Sequence, residues 1–291
     1  MTIRRATLFS VLALTLFTGP VLAQGSAPAN RNAALRYWSA FSVMQDSAIT
    51  ADQAAELNAV LAGRAEYDDS KFSDVVAKNK LALEIMARGT ALPECDWGLD
   101  YSFGSDEPVE YVRDALALGR LNVLYVLHLL NAGDKDAAVN ALAAGLHFSR
   151  EVANGGTLFA TLAADTLISA HLRAIGFVTR KSELSAAQRG ELQQAVARLG
   201  PDGLDWRSGI QHEFQALRTH SPGDAQASEA VTRIDEAYAK AVSDPSALPA
   251  LQDTIHRAPP AVAQLIPSPS RVLQTKQALS ALLAQTRSAL K

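Results

Sequence analysis

The sequence is poor in the residues that build cross-linked or repetitive proteins. Its 291 residues include one cysteine, Cys95, and only 17 glycines and 12 prolines. These counts exclude collagen-like chains, low-complexity chains and scaffolds held by internal disulfides. We expect Cys95 to be buried as a small apolar side chain. The alternative is a free thiol that pairs with a second chain.

A strong charge of either sign is also absent. The chain has 27 lysines and arginines against 30 aspartates and glutamates, which gives a formal net charge of −3. Domains that bind nucleic acid carry a basic surface. We therefore predict no nucleic-acid partner.

The common catalytic motifs do not occur in the sequence. There is no G-x-S-x-G elbow, no glycine-rich phosphate loop and no C-x-x-C pair. His212 and Glu213 are similar to the start of a zinc helix, but that chemistry needs a second histidine where the chain has Ala216. We predict no metal site and no cofactor, and we assign no catalytic residue.

Alanine and leucine dominate the sequence instead. The chain has 53 alanines and 38 leucines, together close to a third of its residues. Both are strong helix formers, and a sheet protein would need more valine, isoleucine, tyrosine and threonine. Apolar residues recur at helical spacing in about eleven segments, and the connections in the middle of the chain are only two to four residues long. We therefore predict an all-α fold of stacked antiparallel helical hairpins, an α-solenoid.

Two patterns mark where helices begin. Thr50 with Gln53, and Ser185 with Gln188, have the spacing of a capping box, in which each side chain bonds the backbone N–H of the other residue. We expect one helix to start just after Thr50 and another just after Ser185.

The segment 1–23 has the pattern of a secretory signal peptide. Arg4 and Arg5 precede an apolar run over 6–17, and small residues occupy the −3 and −1 positions of a cleavage site after Ala23. The run is shorter than the ~20 residues of a membrane anchor, and no uninterrupted apolar stretch of that length follows. We predict cleavage, no transmembrane segment in the mature chain, and export to the periplasm or the cell exterior.

Composition divides the rest of the chain into segments. A flexible leader at 24–30 precedes a helical domain at 31–258, which contains one long loop at 90–108 where proline and glycine interrupt the helical period. A proline-rich connector at 259–269 leads to a C-terminal helix at 270–291.

The segment NAGDKDAAVNAL at 131–142 resembles the helix–turn–helix unit of tetratricopeptide repeats, and the resemblance covers about residues 116–150. After a Gly-Asp turn, Ala138 and Ala141 match the small residues that let the helices of a repeat approach closely. This resemblance implies a groove that binds a protein or peptide. The segment CDWGLDY at 95–101, followed by this hairpin, is also similar to a group of exported bacterial helical proteins of unassigned function, which implies an architecture and no activity.

Acidic and aromatic residues alternate in the long loop between positions 94 and 110. Asp96, Trp97, Asp100 and Tyr101 are candidate ligand- or partner-binding residues, because aromatic rings offer contact area and carboxylates orient a cation, a sugar or a basic peptide. Asp96 and Asp100 could also form an acid–base pair. The structural alternative is that the rings pin the loop to the helices while the acidic residues cap a helix and face water.

A second candidate cluster follows from the two hairpin turns. If the chain reverses at Gly133 and at 155–156, then Arg120, His147 and Asp165 fall at one level of three adjacent helices. A histidine between a cation and a carboxylate is a candidate acid–base group. The alternative is a polar layer that fixes the register of the helices.

These patterns favour a non-enzymatic module of the cell envelope that binds or scaffolds another envelope protein or a peptide. The alternative is a helical hydrolase that cleaves an envelope polymer or sugar with the carboxylates of the long loop and a facing histidine.

Overall fold

A computed structural model describes residues 31–46, 49–107, 109–220 and 224–291. The predicted signal peptide and leader lie outside this part of the chain. All regular structure in the described residues is helical, apart from a single isolated β-bridge. The all-α prediction is confirmed.

Twelve α-helices occur in the described residues, where the sequence indicated about eleven. They are α1 Ala33–Ser42, α2 Ala51–Leu61, α3 Ser73–Gly89, α4 Tyr111–Asn131, α5 Lys135–Val152, α6 Leu158–Lys181, α7 Ala186–Ala197, α8 Trp206–His220, α9 Ala225–Ser243, α10 Leu248–His256, α11 Pro260–Ala263 and α12 Pro269–Ala289. Short 3-10 helices cover Asp69–Lys71, Tyr101–Asp106 and Pro245–Ala247. The predicted connector therefore contains one short helix, α11, and the long loop contains one 3-10 helix.

Both predicted capping boxes are confirmed. The Thr50 hydroxyl accepts from the Gln53 N–H (3.2 Å), and the Gln53 side chain accepts from the Thr50 N–H (2.9 Å). Ser185 and Gln188 repeat this exchange at 3.2 and 2.8 Å. Each exchange satisfies two of the backbone donors that a helix start leaves free.

Glycines bring the three central helices close together. A Cβ atom at Gly119 of α4 would lie 2.5 Å from the Leu167 side chain of α6. A Cβ atom at Gly145 of α5 would lie 2.2 Å from the Asn122 side chain of α4. Because only a hydrogen fits at either position, α4, α5 and α6 approach more closely than larger residues would allow.

Helices α5 and α7 run in the same direction. Near their first turns, the Gln188 side chain donates to the Asp136 carboxylate (2.7 Å). At their last turns, the Arg150 guanidinium donates to the Arg198 carbonyl oxygen (3.3 Å). These two hydrogen bonds mark the two ends of the space between α5 and α7.

The first and last helices pack onto the middle of the fold. Helix α1 lies against α3 and α4, and α12 lies against α6, α7, α9 and α10. Residues 31–291 consequently form one compact unit. The C-terminal helix predicted at 270–291 belongs to the same body as the helical segment predicted at 31–258.

Helix α6 is the one described helix whose length and composition would suffice to cross a membrane. In its most apolar 18-residue window, 61% of the residues are buried within the fold. The sequence predicted no uninterrupted apolar stretch of spanning length after the predicted signal peptide, and Asp165, His171 and Arg173 do interrupt the apolar residues of α6. Its apolar surface is covered by α4, α5, α8 and α12.

Candidate functional site

Trp97 holds the long loop against the helices. Its side chain is 8% exposed, its indole N–H donates to the Glu151 carbonyl oxygen (2.8 Å), and its ring stacks on Tyr111 with the ring centroids 4.1 Å apart. The neighbouring Cys95 side chain is buried, as predicted, and burial raises the pKa of its thiol. Both side chains are therefore packed inside the fold.

The two candidate carboxylates shape the loop. Asp96 accepts from the Gly98 N–H (2.9 Å), and its carbonyl oxygen accepts from the Asn32 side chain (2.7 Å). Asp100 accepts from the Ser102 N–H (2.9 Å) and so caps the 3-10 helix that follows. The hydrogen bonds from Ser102 hold the pKa of the Asp100 carboxyl below its usual range. A catalytic acid needs the opposite shift.

Tyr101 connects the loop to two further elements. Its hydroxyl donates to the Gly155 carbonyl oxygen between α5 and α6, and its ring stacks on His212 of α8 with the centroids 5.0 Å apart. Burial raises the pKa of Tyr101 to about 12. These contacts are those of the structural alternative, in which the loop residues pin the loop to the helices. A binding role for the four residues stays a prediction.

No hydrogen bond or ion pair joins Arg120, His147 and Asp165, all of which lie in the described part of the chain. Arg120 is exposed, and His147 Nε2 faces Glu151 Oε1 at 3.1 Å. Asp165 is buried, and its Oδ1 atom has no partner. Burial raises the pKa of Asp165 to about 6, although the charge of Arg173 opposes this shift.

The register of α5 on α6 explains why these residues do not meet. His171 of α6 lies against Gly145 and Ser149 of α5, with the His171 Nδ1 atom 3.2 Å from the Ser149 hydroxyl. The prediction, which assumed that the chain reverses at 155–156, instead placed His147 beside Asp165. The connection between α5 and α6 is not symmetric, so the first turns of α6 extend past the end of α5.

A different polar layer spans the three central helices. The Asn122 amide donates to the Ala141 carbonyl oxygen (2.9 Å) and lies 3.1 Å from His171 Nε2, while His171 Nδ1 lies 2.8 Å from the Leu167 carbonyl oxygen. A neutral imidazole satisfies both contacts by donating from Nδ1 and accepting at Nε2. Burial lowers the pKa of His171 to about 4. This layer fixes register, the structural role that we had weighed for a different set of residues.

A cleft of about 370 Å³ lies between α5 and α7, with the end of α3 as a third wall. Small side chains leave the space open, namely Ala143 and Ala144 of α5 and Ala195 of α7. The amides of Asn140 and Gln194 also line the cleft and make no side-chain hydrogen bond within the described chain. The volume falls in the range of small-ligand sites.

The charged residues of the cleft are separated along its length. Glu191 lies in the second turn of α7, whereas Arg198 follows its last turn and adjoins Arg150 at the end of α5. None of the three forms an ion pair with another described residue. The cleft therefore has an acidic end and a basic end, both open to a ligand.

His147 lines the cleft, and the Glu151 carboxylate holds its side chain in place. Its partner Glu151 is buried, with Oε2 accepting from the Tyr37 hydroxyl. Burial and the nearby Glu151 carboxylate raise the pKa of Tyr37. Because Nε2 of His147 is committed to Glu151 and Nδ1 has no partner within the described residues, Nδ1 is available to a ligand.

A second cavity of about 300 Å³ adjoins the cleft, since Arg150 and Leu199 line both. Cys95 and the turn at Asn154 and Gly155 form part of its wall. The open surface thus continues from α7 toward the long loop.

Within the described residues, no three His, Cys, Asp or Glu side chains are grouped so as to hold a metal ion. No protein-family model, no curated protein and no solved structure matches the chain.

Sequence reasoning did not find the cleft. Alanines form the floor of the cleft. In an alanine-rich helical protein, an alanine indicates close packing of helices as readily as an open surface. The sequence did contain one signal. Glu191 and Arg198 lie seven residues apart on one face of a helix, and no charged residue between them could pair with either.

Proposed function

We propose that the mature chain is a non-enzymatic, peptide-binding module of the cell envelope, and that the cleft between α5 and α7 is its binding site. The observation that carries this proposal is the set of charged side chains, Glu191, Arg150 and Arg198, which line an open cleft and have no ion-pair partner in the described structure. Clefts between helices with a few convergent polar groups are common ligand sites.

The proposal includes stacked helical hairpins of the tetratricopeptide kind around residues 116–150. Its support is the parallel course of α5 and α7, together with the close approach of α4, α5 and α6 at Gly119 and Gly145. Export to the periplasm or the cell exterior rests on the residue pattern of 1–23. The partner would be an envelope protein or a peptide derived from one.

A change that fills the cleft tests the proposed site. Ala195→Leu places a larger side chain in the cleft, whereas Ala197→Leu adds the same volume at an exposed position that does not line it. Native mass spectrometry with a pool of synthetic peptides of two to ten residues should show adducts for the wild type and for Ala197→Leu. Ala195→Leu should lose them. The proposal is rejected if the wild type forms no adduct, or if both variants form the same adducts.

Hydrolysis of an envelope polymer or sugar is the second candidate function, and one observation favours it. The buried Glu151 carboxylate orients His147, whose Nδ1 atom could take a proton from a water molecule in the cleft. The carboxylates of the long loop serve this function poorly, because Asp96 and Asp100 each cap a turn. Turnover of glycan or peptide substrates by the wild type, and its loss in His147→Gln, would establish hydrolysis.

A further inference from the structure

We infer that the ligand of the cleft is a short peptide of two or three residues with both ends free, its ammonium group at Glu191 and its carboxylate at Arg150 and Arg198. This inference rests on the proposed function and specifies its ligand. It follows from the sign, spacing and order of the charges in the cleft.

The signs of the charges require a ligand that carries both. A simple anion would pair with Arg150 and Arg198 but would leave Glu191 unpaired. A simple cation would leave both arginines unpaired. Unpaired charges that are removed from water cost free energy, so the best match is a ligand with an ammonium group at one end and a carboxylate at the other.

The spacing of the charges sets the length of the ligand. Glu191 and Arg198 are seven residues apart on α7, which corresponds to roughly 10 Å along the helix axis. An extended peptide advances about 3.3–3.6 Å per residue. Two or three residues therefore span the distance between the acidic end and the basic end. The volume of about 370 Å³ is sufficient for a ligand of this size.

The order of the charges sets the direction of the ligand. Because α5 and α7 run parallel, Arg150 meets Arg198 at one end, while Glu191 lies near the other end with Asn140. The peptide would therefore run from its amino end to its carboxyl end in the same direction as both helices.

The remaining polar side chains of the cleft suit a peptide backbone. The amides of Asn140 and Gln194 can each donate and accept hydrogen bonds, and His147 Nδ1 can accept one from a peptide N–H when the ring is neutral. The alanines beside them leave room for side chains without selecting their shape. We therefore expect recognition of the two peptide ends and weak selection of sequence.

Isothermal titration calorimetry with four synthetic peptides tests this inference on the unmodified protein. The probes are trialanine with free ends, trialanine acetylated at the amino end, trialanine amidated at the carboxyl end, and octaalanine. Trialanine with free ends should bind, and each blocked form should bind about tenfold or more weakly, because one charge-assisted contact is lost. Octaalanine should also bind more weakly, since its ends cannot reach both charged groups at once.

Variants assign each end of the peptide to its residue. Glu191→Gln should remove the preference for a free amino end, and Arg198→Gln should reduce the preference for a free carboxyl end. Glu183→Gln and Arg189→Gln change exposed charges that do not line the cleft and should preserve both preferences. If blocked or long peptides bind as tightly as free trialanine and Ala195→Leu still abolishes binding, this inference is wrong and the proposed function stands. If no peptide binds the wild type, both fail.

Discussion

The hydroxyl of Tyr37 on α1 donates a hydrogen bond to the buried carboxylate of Glu151 on α5, more than a hundred residues away in sequence. The other oxygen of the same carboxylate faces His147 at the wall of the cleft. The first helix of the described chain therefore supports a side chain of the candidate site.

Tyr37→Phe should destabilise the protein by about 1–3 kcal/mol, because Glu151 Oε2 then remains buried without its donor. Tyr125→Phe is the matched control, since the Tyr125 hydroxyl has no hydrogen bond within the described chain. The free energy of unfolding in urea measures both changes. Equal effects of the two variants would show that the contact with Glu151 contributes nothing.

Gly145→Ala should destabilise the protein by about 1–3 kcal/mol, because the added methyl group would meet the Asn122 and His171 side chains at 2.2 Å. Gly190→Ala, in the interior of α7 with open space around it, should instead stabilise the protein by roughly 0.5–1 kcal/mol. Thermal unfolding of both variants measures the difference. A Gly145→Ala protein as stable as the wild type would contradict the close packing of α4, α5 and α6.

Asp165 and His171 should affect the pH dependence of stability in opposite directions. The folded-state pKa of Asp165 is raised to about 6, so Asp165 lowers stability as pH rises from about 4 to about 6. The folded-state pKa of His171 is lowered to about 4, so His171 raises stability as pH rises from about 4 to about 6.5. Over this shared range the two effects offset each other in the wild type.

Asp165→Asn separates the two effects. The variant keeps the contribution of His171, so its free energy of unfolding should fall more steeply than that of the wild type as pH drops from about 6.5 to about 4. At pH 7 the variant should be more stable by up to about 3 kcal/mol, since the buried charge is gone. Asp253→Asn, at an exposed position, is the control. Parallel pH profiles for Asp165→Asn and the wild type would contradict the prediction.

Trp97→Ala should cost about 3–5 kcal/mol, since it removes a buried ring and the hydrogen bond to Glu151. Trp38→Ala removes a ring that is 41% exposed and should cost clearly less. Urea unfolding of both variants tests the role of the long loop. A small effect of Trp97→Ala would mean that Trp97 does not hold the loop in place.

The sequence predicted local structure better than it predicted contacts between helices. Helix class and the starts after Thr50 and Ser185 could be predicted because propensity and capping act over a few residues. The register of α5 on α6 could not, because it depends on how one connection bends and on the layer formed by Asn122 and His171. A small error in the predicted position of a turn changes which residues are expected to face each other along the two helices that it joins.

The candidate site was harder to predict, for a related reason. Asp96, Trp97, Asp100 and Tyr101 stand out in the sequence because acidic and aromatic residues alternate there, yet Trp97 and Tyr101 pack on the helices and the Asp96 and Asp100 carboxylates cap turns of the loop. The cleft depends on the pairing of α5 with α7, whose facing residues are some fifty positions apart. Its open space is created by alanines, and in a helical sequence alanine indicates close packing as readily as an open surface.

The position of α12 limits the order in which the chain can complete its fold. Helix α6 ends at Lys181, and α12, one of the helices that cover it, begins only at Pro269. Val272, Leu273, Leu279 and Leu283 of α12 are buried in the finished protein. Until these residues leave the ribosome, the part of the α6 surface that α12 covers has no cover, so this part of the fold is completed only after α12 has been synthesised.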